Sequence, residues 1–152
     1  MLIAAGSMLL LLVQAAESDN YPHGYRQWAH VKSAIVTSAH PAAQSEGGLH
    51  HIYANRKAFE GYASGNFADG SVIVYELLET NEKDNVISEG ARRRIDVMMK
   101  DSARYAATGG WSFTRFMGAS EAGNVVGASE GAKCFECHAR ASNHGSIFSR
   151  VR

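Results

Sequence analysis

Cysteine and proline are nearly absent from this chain, its formal net charge is zero, and no uninterrupted apolar run reaches membrane-spanning length. Among 152 residues there are two Cys and two Pro, which excludes a disulfide-built scaffold and a proline-rich or collagen-like chain. Fifteen Lys and Arg balance fifteen Asp and Glu, so the electrostatic argument for a nucleic-acid or anionic-membrane partner is missing. No repeat period stands out. What is present, 45% hydrophobic and 20% charged residues, is the composition of one globular domain rather than of a disordered chain.

The first fifteen residues carry no charged side chain, and their apolar run from Met1 to Val13 is interrupted only by Gly6 and Ser7. It is shorter than the roughly 18 residues of a membrane span. It fits the apolar region of a signal peptide, with Val13-Gln14-Ala15 offering small residues for cleavage after Ala15. A basic segment ahead of such a region would have to lie upstream of Met1. The alternative is a buried N-terminal helix. Export is the expectation, with residues 1–15 as leader, residues 16–152 as one domain, and no stable membrane span in the mature chain.

Hydrophobic patterning predicts an α+β protein, an antiparallel β-sheet with short helices. Strands are expected at Val31–Ser38, Leu49–Ala54, Ser71–Glu79, Arg92–Lys100 and Trp111–Met117. The clearest is the stretch where Val72, Val74 and Glu76 alternate with Ile73, Tyr75 and Leu77. Asn55 stands where an N-cap belongs, before a helix Arg56–Ser64 with Ala58, Phe59 and Tyr62 on one face. Short helices are expected at Tyr25–His30 and after Asp101, ending near Gly109. Pro41–Gly48, Thr80–Gly90 and Glu121–Gly131 read as loops. Four long helical periods are not found, so a four-helix bundle is excluded.

Both cysteines lie in Cys134-Phe135-Glu136-Cys137-His138, a C-x-x-C-H sequence. Two thiols one short helical turn apart can add to the two vinyl groups of haem, and the adjacent imidazole then reaches the iron. Export supports the motif, because such attachment usually takes place in exported chains. A redox C-x-x-C calls for a βαβ setting, and few residues follow Cys137. A zinc site would have only Cys134, Cys137 and His144, and a plain disulfide remains a further alternative. Small electron-carrying cytochromes place the motif near the N-terminus and use a downstream Met. Here no Met follows His138, since Met98, Met99 and Met117 precede it.

From Tyr25-Arg26-Gln27-Trp28 to its end the chain resembles the cytochrome P-460 family, together with its relative cytochrome c′-beta. The landmarks are Tyr53, Ala58-Phe59-Glu60-Gly61-Tyr62, Asp69-Gly70-Ser71-Val72, Glu76-Leu77, Lys100-Asp101-Ser102, Gly110-Trp111-Ser112-Phe113, Cys134 to His138 and Ile147-Phe148-Ser149. The resemblance implies a homodimeric periplasmic β-sheet cytochrome with one haem c held by Cys134 and Cys137. His138 is the implied proximal iron ligand, and the distal face is open. P-460 members oxidise hydroxylamine or nitric oxide and carry a lysine bonded to the macrocycle. The position that matches this lysine is Tyr75, and a phenol is not an amine nucleophile; Lys57 and Lys83 would need another register. The crosslink-free c′-beta relative binds nitric oxide in an apolar distal pocket.

The leading expectation is a periplasmic mono-haem cytochrome binding nitric oxide or hydroxylamine at an open iron site. A hydroxylamine or nitric oxide oxidoreductase is the first alternative, and a simple electron-transfer cytochrome the second. An electron-transfer protein is the expected partner. Asp96 matches a region where P-460 members place a distal carboxylate, able to take protons; it could equally pair with Arg94 or a cross-strand cation. Tyr75 is the second candidate for the distal pocket. Phe59, Phe113 and Phe116 are expected in the core. Arg92, Arg93, Arg94 and Arg115 are candidates for haem propionates. His30, His40, His50, His51 and His144 are candidate sixth ligands.

Overall fold

The computed structural model describes residues 21–122, 124–125 and 128–151. The expected leader, residues 1–15, lies outside the described residues. Six antiparallel strands form one sheet in simple chain order: β1 (Ala29–Val36), β2 (Gly48–Ala54), β3 (Val72–Lys83), β4 (Val86–Lys100), β5 (Trp111–Met117) and β6 (Asn124–Val125). Helix α1 (Ala43–Glu46) lies between β1 and β2, α2 (Arg56–Ser64) between β2 and β3, and α3 (Ala128–His138) follows β6. The architecture is α+β, as the patterning predicts. Among the described residues no helix is long and apolar enough to cross a membrane.

Period-2 alternation assigns each strand two faces, and at the centre of the sheet both are covered. One face carries Ala54, Ile73, Met98, Trp111 and Phe113 against Ala58 and Tyr62 of α2, Phe67 and Ile147. The other gathers Tyr53, Val74, Ile95, Val97 and Phe116 under Tyr25, with Trp28 packed alongside. On that second face Glu76 is fully buried and accepts from Tyr25 Oη at 2.5 Å and from Arg26 Nη2 at 2.8 Å. A carboxylate at a strand centre thereby pins the 3₁₀ turn Tyr25–Gln27 to the sheet.

Helix α2 starts where its cap dictates. Asn55 Oδ1 accepts from the Ala58 and Val72 amides at 2.9 and 3.1 Å, and its Nδ2 donates to Gly70 O at 2.9 Å. One side chain therefore caps the helix and holds the loop leading into β3. The buried residues of α2 are Ala58, Gly61 and Tyr62, whereas Phe59 is 43% exposed. The expectation of Phe59 in the core is thus corrected. A Cβ on Gly61 would lie 2.6 Å from the Phe67 ring, so close backbone approach takes the place of an aromatic knob.

Thr80–Gly90 is not a loop. β3 and β4 remain paired through Thr80↔Glu89 and Lys83↔Val86. The chain reverses at Asp84 and Asn85, with φ of 53° and 62°, as a two-residue hairpin turn requires. Neither face of this ribbon is covered by a core, so it shows no apolar alternation. Two smaller corrections follow the same logic. Pro41–Gly48 contains the single turn α1, and Glu121–Gly131 contains β6 and the start of α3. In the expected Tyr25–His30 helix only Tyr25–Gln27 is helical, and β1 begins at Ala29.

Replacing Asn55 by Ala removes an N-cap and leaves the Val72 amide without its acceptor. Urea unfolding is expected to show a loss of about 1–2 kcal/mol. Asn55→Asp, which keeps the acceptor, should lose less.

Candidate functional site

The C-x-x-C-H sequence closes α3. Cys134 and Cys137, three residues apart, share one helix face; they form no disulfide, and Cys134 is half-buried while Cys137 is exposed. His138 ends the helix, and the 3₁₀ segment Ala139–His144 follows directly. The chain then returns over the His138 ring. Gly145 and Ser146 adopt φ of 63° and 64°, and His138 Nδ1 donates to the Ser146 carbonyl at 2.8 Å. A Cβ at Gly145 would meet Gly65 O at 2.5 Å, so the return is possible only with glycine there. The Trp111 indole donates to Gly145 O at 3.1 Å, and Tyr62 Oη lies 2.7 Å from Ser149 Oγ. These bonds fix the tail to β5 and α2.

This second-sphere bond fixes the His138 tautomer and leaves Nε2 as the nitrogen for a metal. Phe113 and Phe148 flank the ring, with centroids 5.4 and 5.1 Å away. Burial pushes the His138 pKa down, toward the neutral imidazole that metals bind.

Between this C-terminal unit and the sheet lies a cavity of about 670 Å³, within the range of small-molecule and cofactor pockets. Cys134, Cys137, His138, Ile147 and Phe148 line one side of it; Ile52, Ile73, Met98 and Phe113 contribute apolar surface from the sheet. Tyr75 and Asp96 also line it, so the structure brings both sequence candidates together with the motif.

Neither Tyr75 nor Asp96 stands alone. The Tyr75 hydroxyl donates to Glu46 Oε2 at 2.9 Å. Arg94 donates from Nη2 to both Glu46 oxygens at 2.8 Å, from Nη1 to Ser45 O at 2.8 Å and from Nε to Asp96 Oδ2 at 2.8 Å. Arg115 completes the chain, with Nε to Asp96 Oδ1 at 2.5 Å and Nη2 to Oδ2 at 3.0 Å. Two guanidinium groups thus meet two carboxylates in a charge-balanced wall. Burial first, then the bond to Glu46, pushes the Tyr75 phenol well above its ordinary pKa.

The expected arginine cluster divides. Arg94 and Arg115 line the cavity. Arg92 donates to Tyr21 Oη at 2.5 Å and to Gly118 O at 2.5 Å, and Arg93 donates to Gly47 O. The histidines divide as well. Of the five candidate sixth ligands, His50 lines the cavity. His30 and His51 instead bond Ser33 on β1, and His40 Nδ1 accepts from the Ala42 amide. Lys57 donates to Asp69 O at 3.1 Å, and Lys83 ends β3. Among the described residues no three His, Cys, Asp or Glu side chains converge as metal ligands, so Cys134, Cys137 and His144 do not make the zinc-type set.

Sequence reasoning missed Glu46 and Lys32, which also line the cavity. Glu46 sits on a single turn inside an apparent loop. Lys32 is one exposed lysine on β1, and nothing in its surroundings marks it.

The family model for cytochrome P460 matches residues 22–149. The chain belongs to the cytochrome P460 family. Membership implies a haem cofactor, and the residues present fit one: paired thiols on one helix face, an oriented imidazole beside them, and a largely apolar cavity next to both. No curated protein matches the chain.

The raised Tyr75 pKa has a consequence for stability at high pH. The unfolded chain releases the phenol proton near pH 10, whereas the folded protein retains it to higher pH. Stability contributed by Tyr75 is therefore complete below pH 10 and declines as pH rises above it. Urea midpoints measured from pH 9 to 11 should fall less steeply in Tyr75→Phe.

Proposed function

We propose that this cytochrome carries one haem c joined to Cys134 and Cys137, with His138 as proximal iron ligand. The other face of the iron is open to a small nitrogenous molecule, nitric oxide or hydroxylamine. The observation that carries the proposal is the pairing of His138 Nδ1 with the Ser146 carbonyl beside the cavity that both cysteines line. Haem, when bound, supplies an iron centre able to take up such a ligand and to change oxidation state. The protein's own part is to hold the proximal imidazole in one tautomer and to keep water from the cavity with Ile52, Ile73, Met98 and Phe113.

Tyr75 shapes the choice between binding and turnover. Its hydroxyl is engaged by Glu46, and it brings no amine to the position that matches the family's crosslinking lysine. Asp96 could accept a proton from a substrate only by yielding one of its bonds to Arg94 or Arg115. Both features favour a ligand-binding cytochrome over the hydroxylamine or nitric oxide oxidoreductase. An exported, periplasmic homodimer exchanging electrons with a partner protein completes the reading. Its support is the family resemblance and, for export, the apolar run Met1 to Val13 followed by the small residue Ala15.

Protein matured with haem in a periplasm should retain haem through a denaturing gel, and Cys134→Ala plus Cys137→Ala should lose it. Haem retained by the double variant would refute attachment at these thiols. Steady turnover of hydroxylamine with an artificial electron acceptor would transfer preference to the oxidoreductase.

A further inference from the structure

The ionisable groups of the sheet wall, Glu46, Tyr75, Arg94, Asp96 and Arg115, are hydrogen-bonded to one another. Outside this network stand Lys32, which is exposed on β1, and His50. His50 projects from β2 into the same cavity, and both of its ring nitrogens are shut off from solvent without a hydrogen-bond partner. Tyr75 packs against the imidazole edge-on, with centroids 5.0 Å apart and planes at 79°, while its hydroxyl is turned to Glu46. The ring is therefore held in place by a neighbour that satisfies neither nitrogen.

A buried polar group without a partner is costly, and at the cavity wall a bound molecule can supply the missing hydrogen bond. Desolvation lowers the His50 pKa, Glu46 opposes it and Lys32 and His51 add to it, which favours the neutral imidazole. In that form it offers one N–H donor and one lone pair. Resting on the haem-cytochrome reading above, we propose that His50 is the residue that hydrogen-bonds the small molecule held in the cavity, with Tyr75 as its positioning residue. Asp96 and Tyr75 hold the wall together and leave ligand contact to His50. A donor and an acceptor on one ring suit hydroxylamine, which has both, and the donor alone suits nitric oxide.

Carbon monoxide on the reduced holoprotein is a suitable probe, because its stretching frequency falls when a donor points at its oxygen. The C–O band should move to higher frequency in His50→Leu, return part of the way in His50→Gln, and shift in the native protein on transfer to D2O. Equal frequencies in the native and His50→Leu proteins, with no D2O shift, would overturn the assignment. A low-spin resting iron that becomes high-spin in His50→Leu would place His50 on the metal and overturn it as well. Failure of the reduced native protein to bind carbon monoxide, seen in its visible spectrum, would instead overturn the open-site reading itself. His50→Leu removes an unpaired buried group, so it should fold with an unchanged or higher urea midpoint; this measurement checks that the variant is intact.

Discussion

One guanidinium organises the wall of the cavity. Arg94 is 8% exposed, and its three nitrogens reach Glu46, Ser45 and Asp96. A charge this deep is tolerable only when it is paired and its donors are used. Satisfying them draws the single turn α1 against β4, places Glu46 where the Tyr75 hydroxyl can reach it, and orients Asp96 toward Arg115. Loss of Arg94 would leave Glu46 with the Tyr75 hydroxyl alone and Asp96 with Arg115 alone. The wall is thus a cooperative unit, and the roles of Tyr75 and Asp96 follow from membership in it rather than from their individual chemistry.

The opposite side of the cavity depends on backbone geometry. After α3 the chain doubles back with two consecutive positive-φ residues, a conformation maintained because several tertiary bonds converge on it. Trp111, His138 and Tyr62 contribute those bonds. The same turn that secures the tail also supplies the carbonyl orienting the His138 ring. One turn thus serves both the packing of the tail and the orientation of the His138 ring.

Much of this was legible in the sequence, for physical reasons that differ by element. The central strands were readable because each has covered faces that impose alternation, as at Ile73, Val74 and Leu77. The C-x-x-C-H sequence was readable because its spacing is local. The outer half of the β3–β4 ribbon was misread because no core imposes a pattern on it, although Asp84-Asn85 is a turn pair. Phe59 was misplaced because glycine can take an aromatic's place at a close contact. His50 and Glu46 could not be singled out, since their importance arises only when β2 and α1 are brought beside Tyr75 and Arg94.

The most direct test of the central claim is the visible spectrum of the holoprotein when oxidised, when reduced, and when reduced with nitric oxide. The account predicts an ordinary c-type haem spectrum, high-spin at rest, whose Soret band shifts when nitric oxide is added. A red-shifted ferrous Soret band of the lysine-crosslinked kind would contradict the role given to Tyr75. A low-spin spectrum indifferent to nitric oxide would contradict the open site and indicate a simple electron carrier.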